Sequence, residues 1–176
     1  MHSMTTELQI EKTLPADLEF IYKLFDHSIV YQEKRGSPVW RGYDKGSLMR
    51  DVTNGNQYKI MIGSEIAIVF SVCYADAIIW REKEQADSIY LHRIVVNPAF
   101  KGQKLFGQIL DWAIEHAKQR GLNFIRMDTW AHNPPLIDYY ISFGFMFMGN
   151  FNTPDSPALP SHDRNLALAL LELKLA

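Results

Sequence analysis

Ser88-Ile89-Tyr90-Leu91-His92-Arg93-Ile94-Val95-Val96 is an apolar, β-branched run that leads into Asn97-Pro98-Ala99-Phe100-Lys101-Gly102-Gln103, and a helical pattern then extends to Lys118. A strand that ends in a short glycine-bearing turn and feeds a helix leaves the first backbone N–H groups of that helix without internal partners. Those donors, together with the positive end of the helix dipole, make an anion site suited to the phosphates of a nucleotide-like cofactor.

The pattern on either side of this stretch repeats the alternation of strand and helix. Leu105, Ile109, Ala113 and Ala117 mark one helical stripe, widened by Phe106, Leu110, Trp112 and Ile114. Lys118 and Arg120 suit the negative end of that helix, and Gly121 stops it. A short strand is predicted over 123–129. Asn133-Pro134-Pro135 then opens a further helix, with asparagine as cap and proline at the first helical position, and Gly144 closes it. Upstream, a strand over 7–12 precedes a helix whose face is Leu18, Ile21, Tyr22, Phe25 and Ile29. A second helix is predicted over 44–54 and a hairpin over 58–63 and 65–75, turning at Gly63-Ser64. The run IAIVFSVCY is nearly continuous in apolar residues and belongs in the middle of a sheet. Residues 76–87 read as a variable connection or strand extension. Strands over 145–151 and 165–173 end the chain, separated by a loop with Pro154, Pro157 and Pro160. The expected order is β-α-α-β-β-β-α-β-α-β-β, an α/β chain with a mixed twisted sheet and helices on both faces.

Bulk composition bounds the function. The 176 residues fit one domain, 1–176, and 47% hydrophobic content supports a sizeable core. Lys and Arg total 18 against 20 Asp and Glu, a net charge of -2 with no long run of one sign. That argues against a nucleic-acid partner, whose backbone demands a basic face. No run reaches the ~18–20 apolar residues of a membrane helix, so no membrane partner is expected. Cys73 is the single cysteine; it rules out an internal disulfide and, with no signal-like segment, favours a cytoplasmic setting. Within its apolar run it reads as a small buried hydrophobe rather than a nucleophile. No metal site is expected. The apolar strand at 166–173 offers a surface for a homodimer.

Two blocks together resemble the GCN5-related N-acetyltransferases (GNAT). Val96-Asn97-Pro98-Ala99-Phe100-Lys101-Gly102-Gln103 resembles that family's acetyl-coenzyme A signature. Asn133 followed by Tyr139-Tyr140-Ile141-Ser142-Phe143-Gly144-Phe145 resembles its second block, about forty residues on. The resemblance implies the acyl-CoA N-acyltransferase fold, in which the two central parallel strands, here 88–96 and 123–129, splay apart. It implies acetyl-CoA as cosubstrate, with the pantetheine arm on the backbone of Ile94, Val95 and Val96 and the pyrophosphate over Lys101, Gly102, Gln103, Lys104, Leu105, Phe106 and Gly107. Asn133 is then a helix cap, a ligand to the pantetheine arm, or both. One departure stands out: Lys104 replaces the first expected glycine and Phe106 the second small residue. A Cβ or a ring at this turn is expected to crowd the pyrophosphate, while Lys104 offers a counter-charge.

The implied reaction is attack of a neutral amine on the thioester. A free alkylamine has a pKa near ~10.4, so a base or relay helps at neutral pH. Tyr140 sits where the family places the residue that protonates the leaving thiolate, with Tyr139 the weaker candidate. The base is expected among His92, Asp128 and His132; a structural histidine explains His92 equally well. Arg93 is expected on the opposite strand face from His92. Tyr31, Glu33, Trp40, Tyr43 and Trp130 are candidates to clasp a cationic acceptor, a small-molecule amine or a protein or peptide amine. Two other classes stay open: a cofactor-binding sensor that transfers nothing, and a partner-binding domain without cofactor.

Overall fold

The computed structural model describes residues 8–36 and 42–176. Seven strands form one sheet in the order β1-β2-β3-β4-β5-β7-β6. They are β1 (Leu8–Lys12), β2 (Gln57–Ile62), β3 (Glu65–Cys73), β4 (Ser88–Val96), β5 (Phe124–Trp130), β6 (Met146–Asn152) and β7 (Ala167–Lys174). The helices are α1 (Leu18–Lys34), α2 (Lys45–Thr53), α3 (Ala77–Trp80), α4 (Phe106–Gln119) and α5 (Pro134–Ile141). Apart from α3, this is the expected order. The segment read as a variable connection instead forms that single turn, because Asp76 caps it: its Oδ1 accepts from the Ile79 N–H at 3.4 Å.

Both faces of the sheet are covered. On one, Ile109, Leu110, Ala113 and Ala117 of α4 pack with Ile60, Ile68, Phe70, Leu91 and Met127. The α4 stripe read from the sequence is therefore the face that is buried. On the other, Ile21, Leu24 and Phe25 of α1 and Leu48 of α2 pack on Val69 and Val95. Trp80 and Tyr90 form a third cluster with Leu168 and Leu170. β7 lies inside the sheet between β5 and β6. Its residues Leu168, Ala169, Leu170 and Leu171 are buried in the core of the single chain.

The feature that matters most is where pairing stops. β4 and β5 run parallel but are bonded only over Ser88–Tyr90 against Phe124–Arg126. Beyond Tyr90 the strands diverge. β4 stays paired to β3 as far as Val96 opposite Ile68, and β5 to β7 as far as Trp130 opposite Leu168. Each flank is therefore rigid while the gap between the two strands stays open. A buried sheet rarely leaves such backbone donors and acceptors unpaired, so this wedge is the first candidate for a ligand-binding place.

Candidate active site

A cleft of about 870 Å³ opens at the wedge, lined by Ile94 and Val96 of β4, Asp128 and Trp130 of β5, and Asn133 and Tyr140 of the α5 region. One end is the turn before α4. Lys104, Leu105, Phe106 and Gly107 have no hydrogen-bond acceptor for their amides among the described residues, the first bonds at α4 being Gln108 and Ile109 to the Leu105 carbonyl. Gly102 (φ 85°) and Lys104 (φ 54°) both adopt left-handed backbone. Lys104 thus occupies a conformation that favours glycine. Its side chain is exposed and lines the cleft, which leaves the amides accessible and adds a positive charge beside them.

Phe106 points its ring away from the turn towards α5. Its side chain is buried, and its ring meets Tyr140 and Phe143 edge-on, each at 5.0 Å between centroids. The ring turns inward and braces the helix that bears Tyr140, although Phe106 also contributes to the cleft lining. Lys101 and Gly107 lie outside the cleft lining. Lys101 donates to the Tyr31 hydroxyl, which also accepts from Arg35 at 2.7 Å; Tyr31 is thereby tied to the turn rather than to an acceptor. Val95 packs on the α1 face and, like Lys101 and Gly107, is outside the cleft lining.

The other end of the cleft holds the titratable groups. β4 carries a bulge at Arg93–Ile94 opposite Phe70: His92 pairs with Ser71 and Val95 with Val69, and Arg93 has φ 51°. Two residues facing one break the alternation, so the expectation that Arg93 faces away from His92 fails. Both line the same cleft, and Arg93 is held there by Asp51 and by Ser47 Oγ at 3.0 Å. The His92 ring lies between two carboxylates, with Nε2 at 3.7 Å from Asp76 Oδ2 and Nδ1 at 4.0 Å from Asp128 Oδ2. Tyr90 stacks behind it at 6.4 Å and 12°.

Burial dominates the protonation of this group. It pushes the His92 imidazole down to about 4, with the Arg93 charge adding to the effect. Burial also lifts Asp128 to about 7, and the charges of Asp76 and Asp163 raise it further. Asp76 rises to about 6, from burial first and the Glu84 carboxylate second. Tyr140 is raised by burial, then by Tyr139 and Asp128; it is a protonated phenol across the neutral range, and its hydroxyl has no hydrogen-bond partner among the described residues. Cys73 is half-buried at the cleft wall rather than a core residue, but burial pushes its thiol up to about 12, so it is no nucleophile. No group of three or more His, Cys, Asp or Glu side chains among the described residues is arranged to hold a metal ion.

Asn133 caps α5 through its side chain, Oδ1 accepting from the Leu136 N–H at 3.3 Å, and still lines the cleft. Tyr43 and Trp130 line it too, whereas Glu33 and His132 are exposed away from it. Trp40 lies outside the described residues. Sequence reasoning missed Asp76 and the strap 153–166, whose Leu159, His162 and Asp163 close one wall. The readable signal for Asp76 was an acid set before Ala-Ile-Ile-Trp, a helix-cap pattern.

The family model described as Acetyltransferase (GNAT) family matches residues 72–145, the span that contains β4, the turn and Tyr140. The uncharacterized N-acetyltransferase YesJ of Bacillus subtilis (strain 168) is 32% identical over 146 residues, 76% of this chain and 78% of that protein. An acetyltransferase of the GNAT family from Listeria monocytogenes superposes with a TM-score of 0.79 at 22% identity, over 99% of both chains. YncA of Salmonella typhimurium, solved with its cofactor acetyl-CoA, superposes at 0.66 and 17% identity over 96% of this chain and 94% of that one. The open wedge, the bare amides before α4 and these likenesses agree, and the chain belongs to the GNAT family of acetyl-CoA-dependent acyltransferases.

Proposed function

We propose that this protein transfers the acetyl group of acetyl-CoA to a primary amine by direct attack, with Asp128 beside His92 receiving the amine proton and Tyr140 protonating the departing thiolate. One observation carries the reading. A single cleft joins the unpaired amides of Lys104 to Phe106, the phenol of Tyr140 and the carboxylate of Asp128.

The cosubstrate fits what the chain offers. Its diphosphate matches four free amides at the opening of a 14-residue helix, and its amide-bearing arm matches the unpaired edge of β4 beyond Tyr90. Bound there, it supplies an activated acetyl carbon. The protein's own groups do the rest. In this reading, backbone N–H groups near Val96 stabilise the developing oxyanion. Asp128, lifted towards neutrality, takes up a proton near pH 7, where an ordinary carboxylate does not. Tyr140 holds the proton that a thiolate needs. Asp76, Asp128 and Asp163 give this end of the cleft a negative field that draws an ammonium in before it loses its proton.

The test is thiol release from acetyl-CoA across a panel of aliphatic amines, amino sugars and peptide N-termini, with the product identified by mass. Release that depends on the amine, with N-acetyl product, is expected. Tight acetyl-CoA binding without release for every amine would instead support a sensor. The turn makes a separate prediction. If Lys104 acts as a counter-charge, Lys104→Gly weakens acetyl-CoA binding by roughly 3–10-fold at low salt, and the deficit shrinks at high salt as screening removes it. Calorimetric titration at two ionic strengths reads this directly. Tighter binding by the glycine variant would show that crowding dominates.

A further inference from the structure

We infer that Asp76 is a positioning residue for the base: it holds the His92 ring with its proton on Nε2, so that the free lone pair of Nδ1 accepts the O–H of Asp128 once Asp128 has taken a proton from the acceptor amine. The inference rests on the proposed direct attack and adds to it a residue that acts on the base through the His92 ring.

The geometry is that of a line of three groups. Asp76 Oδ2 lies 3.7 Å from Nε2 at one end of the imidazole, and Asp128 Oδ2 lies 4.0 Å from Nδ1 at the other. A neutral imidazole donates from one nitrogen and accepts at the other, so a carboxylate at one end dictates what the other end can do. Asp128 Oδ2 is buried and has no hydrogen-bond partner among the described residues. An unpaired buried carboxylate oxygen is costly; a proton on it, donated to Nδ1, removes that cost. Both contacts are longer than hydrogen bonds, as catalytic contacts often are before substrate arrives.

Asp76 is itself fixed. Its backbone N–H donates to Glu84 Oε2 at 2.8 Å, and its Oδ1 caps α3. Glu84 in turn accepts from the Tyr90 hydroxyl, and Tyr90 backs the His92 ring. The ring therefore has a carboxylate near each end and an aromatic face behind it.

The proton balance is simple. The N–H bond of the acceptor breaks, its electron pair stays on nitrogen, and the proton ends on Asp128 Oδ2, hydrogen-bonded to Nδ1. His92 gains no net charge, in keeping with its depressed proton affinity. Other charged or titratable groups face this unit from every neighbouring element. They are Arg93 on β4 paired with Asp51 of α2, Cys73 at the end of β3, Glu84 after α3, Asp163 on the strap and Tyr140 of α5. Among neighbouring charges, that of Asp76 raises Asp128 more than that of Asp163 does.

The experiment compares wild type with Asp76→Asn, which retains a good helix cap. In the ligand-free protein, ¹⁵N spectra of the imidazoles, with His92 assigned through a His92→Gln variant among the six histidines, are expected to show a single Nε2–H tautomer in wild type and a mixture in Asp76→Asn. In turnover, the rising limb of the kcat/KM–pH profile is expected to move to lower pH in Asp76→Asn, because a negative neighbour of Asp128 is gone, and the plateau kcat falls by roughly 10-fold. Merely structural loss would change Tm while leaving tautomer and limb in place. The same tautomer and the same limb in both proteins would overturn the inference. Asp128→Asn, run alongside, separates the two levels: it is expected to lower kcat by roughly 10²–10⁴-fold. A full rate in that variant would sink the direct-attack reading itself, whereas a large loss there with an unmoved Asp76→Asn limb would sink only the role of Asp76.

Discussion

Tyr140→Phe is expected to lower kcat by roughly 10²–10⁴-fold while leaving acetyl-CoA affinity within about twofold of wild type. The substitution removes one oxygen and keeps the ring. That ring is what the core uses: Phe106 meets it edge-on at 5.0 Å and Phe145 at 6.4 Å. The hydroxyl, by contrast, has no protein partner among the described residues, so its removal leaves no orphaned donor or acceptor behind. Stability should be unchanged or slightly improved, which makes the variant a clean probe. The deficit should also depend on the leaving group. A thioester whose thiol has a low pKa needs less help from an acid, so a more acidic acyl donor should recover much of the lost rate in Tyr140→Phe and little in wild type. Burial holds the phenol protonated well beyond its usual range, so no falling limb from Tyr140 is expected below pH 10. Stopped-flow detection of thiol release, with calorimetry for affinity, checks both halves. A Tyr140→Phe enzyme at full speed would return the proton donor to solvent.

How much of this was legible beforehand depended on whether a feature was local in sequence. The turn at Asn97 to Gly107 and the Asn133–Gly144 helix were readable because a cap, a proline and a glycine within a few residues specify them. The α4 stripe was readable because its period is helical over four turns. The bulge at Arg93 was not, because nothing in SIYLHRIVV marks it. It exists through the register of β3 against β4, where Phe70 faces two residues, and it brings Arg93 to the cleft beside His92. The direction of the Phe106 ring was not legible for a related reason. A large residue at a small-residue position suggests obstruction, yet the side chain's direction was decided by the aromatic cluster of α5 that receives it. Asp76 and the strap 153–166 lie in segments with weak periodicity. Their place at the cleft is a tertiary fact, set by hydrogen bonds such as Thr153 Oγ1 to the Asp163 carbonyl at 2.7 Å.

The support beneath the site predicts the second large effect, on stability. Arg126 on β5 is almost wholly buried. Its Nε donates to Glu172 at 2.8 Å, and its Nη1 donates to the Lys83 carbonyl at 2.9 Å and the Tyr90 hydroxyl at 3.0 Å. Its guanidinium also lies 4.6 Å over the Trp80 ring. Arg126→Met keeps volume and removes all of these donors, leaving Glu172 as an unpaired, largely buried carboxylate. A loss of ~3–5 kcal/mol is expected, because breaking a buried pair exposes the full desolvation of the partner left behind. Removing that partner as well should be milder: Arg126→Met with Glu172→Leu is expected to regain ~1–3 kcal/mol over the single change. Urea titration reads this as a lowered midpoint with an unchanged slope. Activity should fall further than instability alone explains, measured at a temperature where the variant is folded. Arg126 holds the Tyr90 hydroxyl, Tyr90 backs the His92 ring, and His92 stands between Asp76 and Asp128. A charge with no access to the cleft thus reaches the proton acceptor through three contacts. If the double variant recovers its midpoint but not its kcat, that chain of support is functional; full recovery of both would make Arg126 a core residue and nothing more.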